Sequence, residues 1–360
     1  MNFNYKQILI TGGAGFVGSN LAMWYKAAHP GIEVTVADNL KRRGSELNLP
    51  RLRQAGIKFV HADIRNPEDL SFGNQTFDLV LECSAEPSVL ASYTEGPTYV
   101  INTNLTGTIN CLELARRHQA DFVFLSTSRV YPVKNLNRVK VKETPDRFVI
   151  EPDQEILGVS TAGIAENFPL EGSRSLYGAT KLCSELVIAE YGDMYGLRYV
   201  INRCGVLTGP WQMGKSDQGV FALWLARHYF KRELSYIGWG GRGQQVRDLL
   251  HIDDLARLLD VQLASFDKVA GQIYNVGGGE ASSLSLLETT RLCQEITGNK
   301  IPIKSDPENR PSDLRLYITD NSRVTAATGW APVYSPLQTL ESIYQWIRDN
   351  EPLVAPLWAN

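Results

Sequence analysis

Gln7-Ile8-Leu9-Ile10-Thr11-Gly12-Gly13-Ala14-Gly15-Phe16-Val17-Gly18 is the stretch that decides the fold. Lys6–Thr11 is a short, mostly apolar run, the pattern of a strand covered on both faces. The glycines that follow, Gly12, Gly15 and Gly18, keep G-x-x-G-x-x-G spacing. Glycine permits the tight turn and lets the backbone come close to a pyrophosphate, and the last glycine lets a helix pack against the sheet. That helix is predicted over Gly15–His29, and its first residues, Phe16 and Val17, present unpaired N–H groups and a partial positive charge to phosphate. A glycine motif alone is weak; one that leaves a strand and opens a helix is a dinucleotide-binding fingerprint.

Working outward, short apolar runs alternate with helical patterns. Strands are expected at Glu33–Ala37, Lys58–His61, Phe77–Leu81, Phe122–Leu125 and Arg198–Asn202, and helices within Ser45–Ala55, Thr98–His118 and Leu176–Tyr195. Such alternation implies parallel pairing with right-handed crossovers, an α/β fold with a doubly wound parallel sheet of the Rossmann type. Residues 132–175 are long, polar and rich in Pro, Gly and charge, too long for an idle connection, and read as an active-site loop insert. After Gly209-Pro210 helices dominate, at Gln218–Lys231, Asp253–Phe266, Leu284–Thr297 and Pro336–Arg348. The expected organisation is a dinucleotide-binding domain over 1–209 and a smaller, mainly helical substrate lobe over 210–360, interleaved with the first.

Composition closes off several classes. A formal net charge of -3 gives no global pull toward nucleic acid or an anionic membrane. No apolar run approaches the roughly 20 residues a membrane helix needs. The five cysteines are odd in number and form no C-x-x-C pair, which suits reduced thiols in a cytoplasmic protein. The five histidines form no ligand cluster, so no metal site is expected. The first predicted strand begins within a few residues of Met1, which leaves no room for a signal peptide.

Asp38 ends the second strand, 20 residues after Gly18. A carboxylate there accepts both adenosine ribose hydroxyls and repels a 2′-phosphate, which favours NAD over NADP. Lys41, Arg42 and Arg43 follow and soften that repulsion. Asp63-Ile64, after the third strand, is placed to flank the adenine; a plain turn aspartate is the other reading. Tyr177-Gly178-Ala179-Thr180-Lys181 sets a phenol and an ammonium four residues apart on one helix face. A free phenol has a pKa of about 10. A neighbouring ammonium favours the phenolate. Some 50 residues earlier, Ser126-Thr127-Ser128 closes a strand, where open α/β sheets place ligand sites. Thr127 would orient the hydroxyl that Tyr177 deprotonates, and Lys181 would also hold the nicotinamide ribose.

These residues resemble the extended short-chain dehydrogenases/reductases, in particular the NAD-dependent nucleotide-sugar epimerases and dehydratases. The likeness runs from Gln7 to Trp346 and includes Asn104-x-x-Gly107-Thr108 and Ser126-Thr127-Ser128-Arg129-Val130-Tyr131. It implies that Thr127, Tyr177 and Lys181 are catalytic, and that Asn39 and Ser126 join the glycine loop, Asp38, Asp63 and Ile64 around NAD. Dehydratases carry an acidic pair directly after the catalytic threonine. Here those positions are Ser128 and Arg129, so the machinery suits reversible hydride transfer. The resemblance also assigns Arg247 of Arg247-Asp248-Leu249, and Arg310 of Arg310-Pro-Ser-Asp313, to the substrate pyrophosphate, which guanidinium forks suit.

Finer features resemble the subgroup of CDP-paratose 2-epimerases (CDP-tyvelose epimerases): Asp38-Asn39, the insert before Tyr177, Asp217-Gln218-Gly219 with Gln218 toward substrate, and Gly243–Asp248. Val206 stands where UDP-galactose 4-epimerases usually have Asn, and the common H-x-A segment is altered to Cys83-Ser84-Ala85-Glu86-Pro87. The expected activity is epimerisation at C2 of a CDP-sugar through a keto-sugar. A 4-epimerase or a net oxidoreductase is the alternative. The resemblance further implies a homodimer or homotetramer through Thr98–His118 and Leu176–Tyr195, with Leu112 and Leu114 either supplying that surface or packing against the sheet.

Overall fold

The computed structural model describes residues 3–213 and 219–358; Gln218 lies outside the described residues. Its seven-stranded sheet takes in the short apolar run that precedes the glycine loop. Strand β1 (Gln7–Thr11) is buried along its length except at Gln7. It pairs in parallel with β2 (Glu33–Asp38) on one side and β4 (Leu79–Glu82) on the other, while β3 (Lys58–His61) continues beyond β2 and β5 (Asp121–Thr127) beyond β4. Tyr199–Cys204 and Gln272–Val276 complete the order Gln272–Val276, Tyr199–Cys204, β5, β4, β1, β2, β3. The chain order reverses between β1 and β4, the crevice at which doubly wound sheets hold ligands.

The chain divides into two compact units. The first comprises 1–130, 176–203 and 256–274; the second comprises 131–175, 204–255 and 275–360. In the first, Leu9, Val80, Phe122 and Phe124 pack with Leu112, Leu114 and Ile188 in one apolar cluster. Leu112 and Leu114 are fully buried there, so the sheet takes them and they supply no surface for a second copy. The single helix expected over Thr98–His118 is three segments: Pro97–Ile101, a π-type turn at Asn102–Thr106, and Gly107–His118. The Leu176–Tyr195 helix has the expected bounds.

The second unit carries the helices Val220–Tyr229, Leu286–Thr297 and Pro336–Asp349. The last two start on complete capping boxes, at Ser285/Glu288 and Ser335/Gln338. It also holds small sheets that the sequence did not announce. Val246–His251 pairs with Val206–Thr208, Ser283–Ser285 and Leu316–Tyr317. Residues 131–175 contribute two short hairpins, Val141–Glu143 with Phe148–Ile150 and Val159–Ser160 with Gly163–Ile164. No helix among the described residues is long and apolar enough to cross a membrane.

Candidate active site

The glycine loop is shaped by close approach. Gly12 has φ +64°, and a Cβ there would lie 2.8 Å from the Cys83 carbonyl oxygen; a Cβ at Gly18 would lie 2.4 Å from the Gly12 oxygen. Side chains are excluded at both, so the loop folds tightly over the end of β1 and the helix starts against it. Gly15 differs. A Cβ there would meet only the Gly12 oxygen, at 3.1 Å. It is also the N-cap of the Phe16–Ala28 helix, with no side-chain capping bond. The loop therefore presents a bare backbone face and a helix N-terminus together, a cradle that fits the pyrophosphate of a dinucleotide.

Asp38 closes the other side of this loop. Its Oδ2 accepts the Ala14 N–H at 3.1 Å and its Oδ1 accepts the Leu40 N–H at 2.8 Å. Each oxygen keeps a further lone pair for a ribose hydroxyl. Burial raises the Asp38 pKa, while the backbone amides pull it back. The structure brings Asn39 and Asp63 together, with the Asn39 amide donating to the Asp63 carboxylate at 3.0 Å. Arg65 also grips Asp63, through Nε at 2.9 Å and a terminal nitrogen at 2.5 Å, and holds its carboxyl well below the usual range. Ile64 is buried in the core cluster.

The Leu176–Tyr195 helix packs against β5 and carries Tyr177 in its first turn, half-buried, with Lys181 one turn on and 2% exposed. Thr127 ends β5, and its hydroxyl accepts the Arg129 N–H at 3.2 Å. Neighbouring Ser126 turns its hydroxyl to Glu185 at 2.5 Å. Glu185 is four residues beyond Lys181, so this bond fixes the end of β5 against the helix one turn past the Tyr-x-x-x-Lys pair. Arg203 completes the lock, with Nε 3.1 Å from both Glu185 oxygens and a terminal nitrogen at 2.7 Å.

Three further side chains shape this region, and the sequence reading gave none of them a role. Asn104, inside the π-type turn, accepts the Glu86 N–H at 2.8 Å and donates to the Glu86 carbonyl at 3.1 Å and the Thr180 hydroxyl at 3.3 Å. It ties the loop after β4 to the residue beside Lys181. Its motif was visible, but its partners were not. Glu82, the last residue of β4, is fully buried with an oxygen 3.8 Å from Lys181 Nζ. Its signal was a carboxylate ending the apolar run Leu79-Val80-Leu81. Arg203 stands in the equally apolar context of Tyr199–Cys204.

In the second unit, Arg247 donates to the Val246 carbonyl at 2.8 Å and the Leu314 carbonyl at 2.7 Å, and lies 3.4 Å from Asp313. It thus meets the aspartate of the Arg310-Pro-Ser-Asp313 motif. Burial lowers its pKa, and the Asp313 charge opposes the shift. Arg310 is half-buried in the turn that the Asp313 N–H closes onto its carbonyl at 3.2 Å. Asp248 is fully buried and accepts the Gly279 and Thr319 amides at 3.1 and 3.2 Å, a structural anchor for the turn after Val276. No cluster of three metal-ligating side chains occurs among the described residues.

Comparison with known proteins gives this geometry its context. A family model described as NAD dependent epimerase/dehydratase family matches residues 8–277. The CDP-paratose 2-epimerase of Salmonella typhi is 32% identical, over 94% of this chain and 98% of its own. The UDP-glucuronic acid 4-epimerase of Bacillus cereus, solved with UDP-glucuronic acid and NAD, superposes with a TM-score of 0.78 at 25% identity, covering 95% of this chain and 99% of that one. The dTDP-glucose 4,6-dehydratase of Streptomyces venezuelae, solved with NAD, gives 0.77 at 28% identity over 98% and 99%. With the glycine loop, the reversal point of the sheet and the Tyr-x-x-x-Lys helix in place, the chain belongs to the NAD dependent epimerase/dehydratase family.

Proposed function

We propose that this protein epimerises a nucleotide-activated sugar by transient oxidation to a keto-sugar and re-reduction, at C2 of a CDP-sugar. The observation that carries the reading is the helix that holds Tyr177 and Lys181 one turn apart, packed on the strand that ends in Thr127. Gly12, Gly15, Phe16, Val17, Gly18 and Asp38 hold NAD, with Asn39, Asp63, Ile64 and Ser126 around it. Bound there, NAD supplies reversible storage for the electrons taken from the sugar carbon. Tyr177 takes the hydroxyl proton as that carbon becomes a ketone, and returns it when the ketone is reduced from the opposite face. Thr127 anchors the same hydroxyl. Lys181 places positive charge near the phenol, which favours its anion, and holds the nicotinamide ribose. Arg247, Arg310 and Gln218 bind the nucleotide diphosphate and the sugar.

Elimination of water needs an acid and a base beside Thr127; Ser128 and Arg129 supply neither, which supports epimerisation over dehydration. Likeness to the Salmonella enzyme supports C2 and CDP. Likeness to the Bacillus cereus structure favours the second reading, a 4-epimerase. Exposed Leu186, Met194 and Tyr195 on the Tyr177 helix support a homodimer or homotetramer. A screen of CDP-, UDP-, GDP- and dTDP-sugars tests the class. Epimerised CDP-sugar that keeps a C2 deuterium, with C2 inverted, is the expected product. Inversion at C4 transfers the assignment to the second reading, and steady NADH accumulation to a net oxidoreductase. Tyr177→Phe should lower turnover at least 10³-fold, on the scale of lost general acid–base catalysis, and leave NAD binding intact.

A further inference from the structure

Beneath the Tyr-x-x-x-Lys pair lies a charge that this mechanism does not use. Glu82 is 0% exposed at the end of β4, and Lys181 Nζ is 3.8 Å from its Oε2. Neither carboxylate oxygen closes a hydrogen bond of normal length. Lys181 also lies 3.8 Å from the centroid of the Phe124 ring on β5, so its head is seated between an anion and an aromatic face. A fully buried carboxylate short of hydrogen bonds is costly and calls for an explanation. Here its nearest cation is the lysine that the proposed chemistry needs.

We propose that Glu82 is a positioning residue for Lys181, a buried carboxylate whose charge sets how much of the ammonium's field is left to act on Tyr177. This deepens, and rests on, the reading of Tyr177 and Lys181 given above. An ionised Glu82 draws the ammonium toward β4 and cancels part of its effect on the phenol. A protonated Glu82 releases that charge. The titratable groups facing Glu82 are Lys181 from the Leu176–Tyr195 helix and Cys111 from the Gly107–His118 helix. Burial, with the Glu82 charge adding to it, drives the Cys111 thiol well above its ordinary range, so it stays neutral. Burial pushes Glu82 itself up to about 7, while the Lys181 charge and the Ser84 amide pull the other way. The pair therefore changes charge close to neutrality, and Tyr177 loses part of the lysine's help as pH rises through that range.

The test uses the full chain with NAD bound and needs no sugar. The tyrosinate absorbance difference between wild type and Tyr177→Phe isolates the titration of Tyr177. The same difference is then taken in the Glu82→Gln background. The expected result is a Tyr177 midpoint lower by about one pH unit without the carboxylate. An unchanged or raised midpoint overturns the proposal. Should Glu82→Gln not fold, infrared titration of wild type and Lys181→Gln replaces it. The stretch of a buried, protonated carboxyl should disappear near pH 7 in wild type and persist to higher pH without Lys181; identical midpoints overturn the proposal. Failure of the parent reading looks different: Tyr177→Phe would keep its turnover, whatever the titrations show.

Discussion

Two buried ion pairs hang from the same helix one turn apart, and they are built to opposite standards. Glu185 meets Arg203 through three contacts of 3.1 Å or less and takes a fourth bond, at 2.5 Å, from Ser126. Glu82 meets Lys181 across 3.8 Å, with no hydrogen bond of normal length at either carboxylate oxygen. Burial is equal, at 2% for Glu185 and 0% for Glu82. Paired charges in a dry interior repay their desolvation when the remaining lone pairs are satisfied. The Glu185 pair meets that condition and holds β5 to the helix. The Glu82 pair does not, and an unsatisfied charge beside the Lys181 ammonium is a charge free to change.

The largest expected effect comes from breaking the satisfied pair. Glu185→Ala leaves the Arg203 guanidinium buried without its anion and should cost about 3–5 kcal/mol in denaturant unfolding. A loss under about 1 kcal/mol would mean that Arg203 finds another partner or water and that the two pairs are alike. Next is the pH dependence of the loose pair. The unfolded chain releases the Glu82 proton near its ordinary 4.5 and the folded chain near 7. Between those values the folded state holds the extra proton. This contribution to stability is therefore complete below that window and is lost as pH rises through it. Unfolding measured across the window should lose up to about 3 kcal/mol to this group, and Glu82→Gln should flatten that part of the slope. An equally steep slope in the variant would place the linked proton elsewhere. Smallest is Ser126→Ala, which removes one bond to a charged acceptor but leaves the Arg203 contacts standing. It should cost about 1–2 kcal/mol without altering the tyrosinate titration. A titration shift there would show that the satisfied pair also tunes the chemistry.

Much of the first unit could be read beforehand because its signals are local. β1, the glycine loop and the Leu176–Tyr195 helix each declare themselves in a handful of adjacent residues, through apolar runs, glycine spacing and helical periodicity. What escaped the reading depends on partners distant in sequence. The fourth strand was expected to stop at Leu81, which left Glu82 outside it; only its pairing with β1 and β5 shows the carboxylate to be inside the sheet. Thr208, Ser285 and Tyr317 end strands of two or three residues, too short to display alternation. Arg247-Asp248 was legible as a motif, yet its two members part company: the arginine turns to Asp313 and the aspartate to Gly279 and Thr319. A π-type turn changes hydrogen bonding rather than composition, so Asn102–Thr106 looked like uninterrupted helix.

That wide turn gives the chain a place where shape can be edited by a single codon. A π-type turn holds one residue more than an α-turn, so deleting one residue within 102–106 would restore ordinary winding and leave the segments on either side near their present phase, while the residues of the turn itself are re-aimed. Asn104 would be carried off Glu86 and Thr180, whereas Leu112 and Leu114, downstream, would keep their seats on the sheet. Evolution could thus retune the loop beside Lys181 through a length change in a neighbouring helix and leave the scaffold standing.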